Sequence, residues 1–382
     1  MKKVWQILSY ILVAALAAAA ALYFFGEQPA EEYSKLDYLS DLIDERFIGE
    51  ANRTEYEDAA AAAMVEALGD EWSYYIPAKE YQMHVESMSN AYVGIGITIT
   101  ISEDGAGFQV TKVNPGGPAD EAGMIPGDVI VAIEGQSAAD MDTTQARDLV
   151  RGEENTEVRL TVDRNGKTLE LRVMRKQVLS PVALSQMLPD GIGLITIVNF
   201  DDRCFDETHA AIETLLEQGA TALIFDVRNN PGGYKHELVK LLDYLLPAGP
   251  LFRSELYTGE TSIDESDASC LKIPMAVLVN ENSFSAAEFF AAAMSEYDAA
   301  VIVGQQTYGK GYFQTTIQLG DGSAVGLSVG RYTTPNGVCL AGVGITPDVV
   351  IDVDDDTFFK IYAGTMAPEE DPQIQAAVNA LK

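Results

Sequence analysis

A serine hydroxyl becomes a nucleophile where it is exposed, where a base can take its proton, and where donors await the charge that develops on the attacked carbonyl. Ser285 stands at such a place. It follows the apolar run Met275–Val279, read as a buried strand, and opens a helix running to about Tyr297. A residue at a strand-to-helix turn is exposed, and the first helical amides lack intrahelical acceptors. The same residues fit a purely structural use: Ser285-Ala286-Ala287-Glu288 is a capping box, with serine as the cap and glutamate reaching back from three positions on. Two bases could serve the hydroxyl. His236 follows Gly232-Gly233 and reads as the surface residue of a helix. Lys310 lies in Tyr308-Gly309-Lys310-Gly311-Tyr312-Phe313. A free lysine, with a pKa of about 10.4, must be desolvated before it accepts a proton at neutral pH. Here glycines let the backbone bend close, aromatic rings offer a dry wall, and Gln314 can hold the amine by a neutral hydrogen bond. A third string, Asp226-Val227-Arg228-Asn229-Asn230-Pro231-Gly232-Gly233, is first of all a turn. Its paired glycines also let backbone amides approach a ligand, as an oxyanion hole requires. Asp226 and Arg228 read as structural partners.

The elements around these residues alternate. Ile192 to Val198, Ala222 to Val227, Pro274 to Val279 and Ala300 to Val303 read as strands, and Asp206 to Gln218, His236 to Leu246 and the Ser285 segment as helices. This is an α/β core, closed by strands and loops from Gly311 to Val353. Upstream, Tyr92 to about Met174 is β-rich, with a hairpin turn at Asn165-Gly166 and a short helix from Thr143 to Val150. Lys35 to about Met88 has helical periodicity. A dimer contact is one use open to those helices; packing is the other.

In this order the motifs resemble the carboxyl-terminal processing peptidases, also called tail-specific proteases. The family's N-E-G-S-A-S-A-S-E appears as Asn280-Glu281-Asn282-Ser283-Phe284-Ser285-Ala286-Ala287-Glu288, and its T-F-G-K-G-x-x-Q as Thr307 to Gln314. Its D-L-R-N-N-P-G-G matches Asp226 to Gly233, and its G-I-T-P-D matches Gly344 to Asp348. The resemblance implies a Ser–Lys serine endopeptidase on a crotonase/ClpP-like α/β core with an inserted PDZ domain. Ser285 would attack, Lys310 would act as general base with Gln314 orienting it, and the amides of Ala286 and Gly232 would form the oxyanion hole. It implies no metal or cofactor, and a lysine base implies activity that rises toward alkaline pH. Phe284 departs from the family's small residue and would narrow the site or reshape the pocket for the residue before the scissile bond.

The β-rich insert resembles a PDZ domain. Tyr92-Val93-Gly94-Ile95-Gly96-Ile97 stands where such domains keep their carboxylate-binding loop, which assigns peptide binding to Val93, Gly94, Ile95, Gly96 and Ile97. The adjoining strand would pair with a peptide by β-augmentation. The strings Asn114 to Ala119 and Ala122 to Ile130 fit the same domain. Partners are then polypeptides with exposed C-termini. A rival reading is a PDZ adaptor on an inactive protease scaffold. Another Ser–Lys acyl-transfer enzyme of the penicillin-recognising kind is opposed by spacing, because its lysine lies three residues after the serine.

Composition bounds the rest. The chain has 382 residues, 47% hydrophobic, and a net charge of −33 from 25 basic and 58 acidic residues. That surface repels phosphate backbones and argues against nucleic acid. The cysteines, Cys204, Cys270 and Cys339, and the histidines, His84, His209 and His236, have no metal-ligand spacing. Lys2 and Lys3 precede an uncharged run from Val4 to Phe25, long enough to span a hydrocarbon core of about 30 Å. An uncleaved signal anchor and a cleaved signal peptide both fit, and the length of the run favours the anchor. Basic residues on the short side put everything after Phe25 outside the cytoplasm, as the catalytic part of a single-pass cell-membrane protein. The expected layout is an anchor at 1–25, a linker at 26–34, a helical region at 35–90, the PDZ domain at 91–178, the protease core at 179–356 and a tail at 357–382.

Overall fold

The computed structural model describes residues 34–102 and 104–382, and the chain divides after Asp70 into two units. The expected anchor at Val4–Phe25 and most of the linker lie outside the described residues. Among those described, no helix is long and apolar enough to cross a membrane.

The first unit holds helices Lys35–Arg46 and Arg53–Glu66. Ser34 caps the first by accepting the Asp37 amide at 3.2 Å. Asp44 binds both Arg53 and the Tyr56 hydroxyl at 2.8 Å, tying the start of the second helix to the first.

The second unit is built on a six-stranded sheet ordered Ala183–Leu188, Ile192–Ile197, Ala222–Asp226, Met275–Val279, Ala300–Gly304 and Val349–Val350. Only the first pair is antiparallel. Ala222–Asp226 and Met275–Val279 are buried at every residue, as strands covered on both faces must be. Alternate side chains feed two cores. Phe225, Val277 and Val279 face the helices Cys204–Glu217, Lys235–Leu245 and Ala286–Glu296. Ile224, Ala276 and Leu278 face Ile374 and Ala377 of the helix Pro372–Ala380.

A second, antiparallel sheet is organised by the long strand Ala324–Thr333. Tyr312–Gln318 pairs along one of its edges, and Tyr74–Ile76 and Gly249–Leu256 pair in succession along the other. The Ala286–Glu296 helix lies between the sheets. Phe290 meets Phe225 of the parallel sheet at 5.6 Å between ring centroids, while Phe289 meets Phe252 of the antiparallel sheet at 5.0 Å.

The β-rich insert has its own core around Phe108, Val110, Ile130 and Leu160. Its six-stranded antiparallel sheet runs Ile97–Ile101, Phe108–Val113, Val129–Ile133, Glu157–Arg164 and Lys167–Met174, with the short strand Gln136–Ser137 paired to Val129–Ile133 off this path. Asn165 and Gly166 adopt φ of 54° and 80°, the mirror-image turn that matches strand twist.

Two sequence expectations change. The stretch read as helical from Lys35 to Met88 contains the strand Tyr74–Ile76, whose pairing with Gly326, Val325 and Ala324 decides its conformation. Residues 357–382 are no tail: Ile374 and Ala377 are buried against the parallel sheet, and Asp371 accepts from Arg228 at 2.8 Å. The Arg228 guanidinium also binds Asp226 at 2.7 Å and Gln373 at 2.9 Å, with 3% of its side chain exposed. Those two carboxylates hold it well above its ordinary pKa against the opposing effect of burial. Removing it strands two carboxylates, so Arg228→Ala is expected to destabilise the protein by about 3–5 kcal/mol in denaturant unfolding.

Candidate active site

The Ser285 turn is fixed by backbone geometry that sequence does not announce. Ser285 adopts φ 58° and ψ −125°, a left-handed conformation costly for a residue with a Cβ. The expected capping box is present. The Ser285 amide donates to Glu288 Oε2 at 3.0 Å, while the serine side chain faces the Glu288 amide without a hydrogen bond of full geometry. The Glu288 amide donates instead to the Ser285 carbonyl at 2.9 Å. The glutamate thus holds the turn from which Ser285 borders the cavity described below.

Glu288 is fully buried and accepts four hydrogen bonds. Besides the Ser285 amide these come from the Thr307 hydroxyl at 2.6 Å, the Gly309 amide at 2.7 Å and the Lys310 amide at 2.8 Å. One carboxylate thus joins the backbone of Ser285 to that of Lys310. Burial pushes its carboxyl above the ordinary range, and its hydrogen bonds pull it back.

The loops that follow the strands are locked by asparagines. Asn280 Oδ1 accepts the Asn229 amide at 2.9 Å, and Asn280 Nδ2 donates to Asn229 Oδ1 at 2.9 Å. Ser283 is fully buried, its hydroxyl donating to the Val227 carbonyl at 2.7 Å, so it is structural. Gly232 sits at φ 91°, where a Cβ would lie 2.7 Å from Ser285 Cβ. Its amide donates to Asn230 Oδ1 at 2.8 Å. That bond holds the loop, and Gly232 also leaves room beside Ser285. Ala286 begins the helix, as expected.

A cavity of about 580 Å³ opens here, bordered among others by Tyr81, Asp201, Gly232, Ser285, Lys310 and Gln314. The structure so brings the three residues Ser285, Lys310 and Gln314 onto one cleft. Gln314 Nε2 donates to Ser328 Oγ at 3.0 Å. The Lys310 ammonium position lies 4.2 Å from the centroid of the Trp72 ring. Phe284 does not line the cavity; it packs with Trp72 and Tyr308 at centroid distances of 6.1 and 5.6 Å, walling the lysine turn.

His236 is more than half exposed, with its ring stacked on Tyr234 at 5.3 Å. His84, which sequence reading left aside, borders the cavity, and burial lowers its pKa. Asp201, on the cleft, and Trp72, beside Lys310, carry no sequence signal either, because only the fold brings them there. Among the described residues no group of His, Cys, Asp and Glu could hold a metal ion, and the three cysteines are free.

On the insert, Val93 and Gly94 belong to the strand Ala91–Gly94, paired with Lys176–Leu179. Ile95 enters the core, and Gly96 turns at φ 76° with its carbonyl accepting the Asn114 amide at 2.9 Å. Ile97 opens an edge strand. The five residues assigned to peptide capture are contiguous with an edge to which an extended peptide can add.

Comparison with known proteins agrees with this layout. The family model for peptidase family S41 matches residues 191–351, and one for the PDZ domain matches residues 109–164. The chain is 29% identical over 365 residues to a "Probable CtpA-like serine protease" of Staphylococcus aureus (strain MRSA252), covering 92% of this chain and 73% of the relative. It is 31% identical over 325 residues to the protein of the same description from Staphylococcus haemolyticus, covering 84% of this chain and 65% of the relative. Among solved structures, "Putative S41 protease from Bacteroides fragilis" aligns with a TM-score of 0.56 at 15% identity, over 92% of this chain and 98% of that one, a likeness of fold. A photosystem II D1 C-terminal processing protease aligns at 27% identity and a TM-score of 0.48, over 84% and 87% of the two chains.

Replacing Glu288 by glutamine sets an NH2 group against a ring of donors, so at least one hydrogen bond is lost. Glu288→Gln is expected to destabilise the protein by about 1–3 kcal/mol in denaturant unfolding. Hydrogen exchange at the Gly309 and Lys310 amides should accelerate; unchanged exchange there would show that the carboxylate does not hold the lysine turn.

Proposed function

We propose that this chain, a serine peptidase of family S41 allied to the carboxyl-terminal processing peptidases, cleaves exported polypeptides near their C-termini with Ser285 as nucleophile and Lys310 as general base. The reading rests on one observation above the others: a buried carboxylate binds the amides of both residues, and both border one cleft.

In the proposed mechanism the Ser285 hydroxyl gives its proton to a neutral Lys310 amine as Oγ bonds to the peptide carbonyl carbon. The Ala286 amide, at the positive end of the buried helix, stabilises the oxyanion. The tetrahedral intermediate collapses as Lys310 passes the proton to the leaving amine, giving an acyl-enzyme. Water, deprotonated by Lys310, attacks the ester, and Ser285 leaves with the proton returned. Gln314 steadies the amine. The PDZ domain captures the substrate's terminal carboxylate at Val93–Ile97 and pairs its last residues with the edge strand Ile97–Ile101. An N-terminal anchor at Val4–Phe25 holds the enzyme in the cell membrane with its catalytic part outside the cytoplasm. It needs no cofactor.

The test is cleavage of casein by the full chain. Ser285→Ala and Lys310→Ala are each expected to lower the rate by about 10²–10⁴-fold, while His84→Gln and Ser283→Ala still cleave. Loss in His84→Gln equal to that in Lys310→Ala would move the base to the histidine. Absence of cleavage by the parent would favour a PDZ adaptor on a silent scaffold.

A further inference from the structure

The cleft contains an acidic group that the mechanism leaves unused. Asp201 follows Phe200 in the loop leaving the strand Ile192–Ile197, on the same carboxyl-end side as the Gly232 and Ser285 loops. Phe200 fastens that loop to the glycine turn: its amide donates to the Gly232 carbonyl, and its carbonyl accepts the Tyr234 amide, both at 2.7 Å. Gly233 lies so close that a Cβ there would meet both the Asp201 amide and Oδ1 at 2.7 Å. The carboxyl is therefore held against the turn that touches Ser285.

Asp201 is 7% exposed, and its Oδ1 is buried with no hydrogen-bond partner among the described residues. A carboxylate so placed is unfavourable unless something pairs with it. Asp202 borders the same cavity and adds like charge. The other titratable groups facing this space are Lys310, His84 and the phenols of Tyr74, Tyr81, Tyr234 and Tyr332. Burial lowers the pKa of His84, and Lys310 lies over Trp72. Val85 and Met88 add apolar lining to the same cavity. A long apolar stem ending in a cation fits such a lining: methylenes lie on the rings and Met88, and the charged tip meets the carboxyls. An acidic side chain would be repelled, an apolar one would leave Asp201 unpaired, and a neutral donor would pair with it without the gain of opposite charge.

We propose that Asp201, assisted by Asp202, forms a subsite that takes a lysine or arginine side chain of the polypeptide near the scissile bond. The subsite rests on the peptidase reading of the cleft, and its test separates the two. Burial and Asp202 push the Asp201 carboxyl up to about 7. A basic side chain pairs with its ionised form, so the preference for basic over neutral residues grows from pH 6 to pH 8. The empty protein pays for the same feature. Between the ordinary carboxylate range and pH 7 the folded state binds the extra proton, so stability falls as pH rises through that window.

The experiment uses full-length protein and synthetic peptides derived from a casein site it cuts, with lysine or glutamine at each position around the bond in turn. At one position lysine should raise kcat/KM about 10- to 100-fold over glutamine, as a charge-assisted hydrogen bond would. The ratio should rise between pH 6 and 8 and fall toward one in Asp201→Asn. A ratio near one at every position, or one that Asp201→Asn leaves intact, overturns the proposal. Asp201→Asn should also melt higher than the parent at pH 8, with the gap closing at pH 5; a lower melting temperature at pH 8 would give the carboxyl a structural partner and likewise overturn it. Should the parent cleave nothing, anisotropy of fluorescein-labelled lysine and glutamine variants of a casein peptide on Ser285→Ala decides. Asp201-dependent preference for lysine upholds the subsite while the peptidase reading falls, and equal binding removes both.

Discussion

A single buried carboxylate, that of Glu288, joins the two segments on which any chemistry here must depend. Its acceptor atoms take the Ser285, Gly309 and Lys310 amides and the Thr307 hydroxyl, in surroundings where water does not compete. Such bonds are worth most at low dielectric, and a missing partner is correspondingly costly. The position of the carboxylate is inherited from packing. Glu288 rides on a helix whose Phe289 and Phe290 are wedged between two sheets, so displacing the serine turn relative to the lysine turn means disturbing both aromatic contacts. The rigidity of the site is the rigidity of the core, delivered through one side chain.

The cleft follows the general rule for parallel sheets, in which the loops beyond the carboxyl ends of the strands collect the functional groups. Three such loops contribute Asp201, Gly232 and Ser285. They approach so closely that a Cβ at Gly232 or Gly233 would collide with backbone or with Ser285 itself. Glycine at these two positions is a requirement of volume before it is one of conformation. The insert contributes differently. Its core is separate, and it offers an edge strand.

Much of this was legible in the chain because local patterns carry it. The buried strands, the hairpin at Asn165-Gly166 and the helix at Thr143–Val150 follow from apolar runs and turn chemistry within a few residues. The Ser285 box was legible too, but the φ of 58° at its serine was not, since nothing in Ser-Ala-Ala-Glu encodes that angle. The Glu288 contacts bridge 19 to 22 positions and leave no periodic signature. Asp201 and His84 carry no motif at all; topology alone places them on the cleft. Residues 357–382 read as a tail because their helices are short, and their role appears only once Ile374 and Asp371 meet strand and loop partners far upstream.

That last pairing has a temporal side. A chain is made from its N-terminus, and domains complete as their residues emerge. The serine, the lysine and every loop of the cleft are made before Asp371, Ile374 and Ala377, yet one face of the central sheet and the clamp on Arg228 wait for those residues. The working parts of the cleft thus precede the part that seals the sheet behind them. A growing chain passes through a stage with its reactive residues present and its scaffold open, and maturity arrives only with the helix Pro372–Ala380.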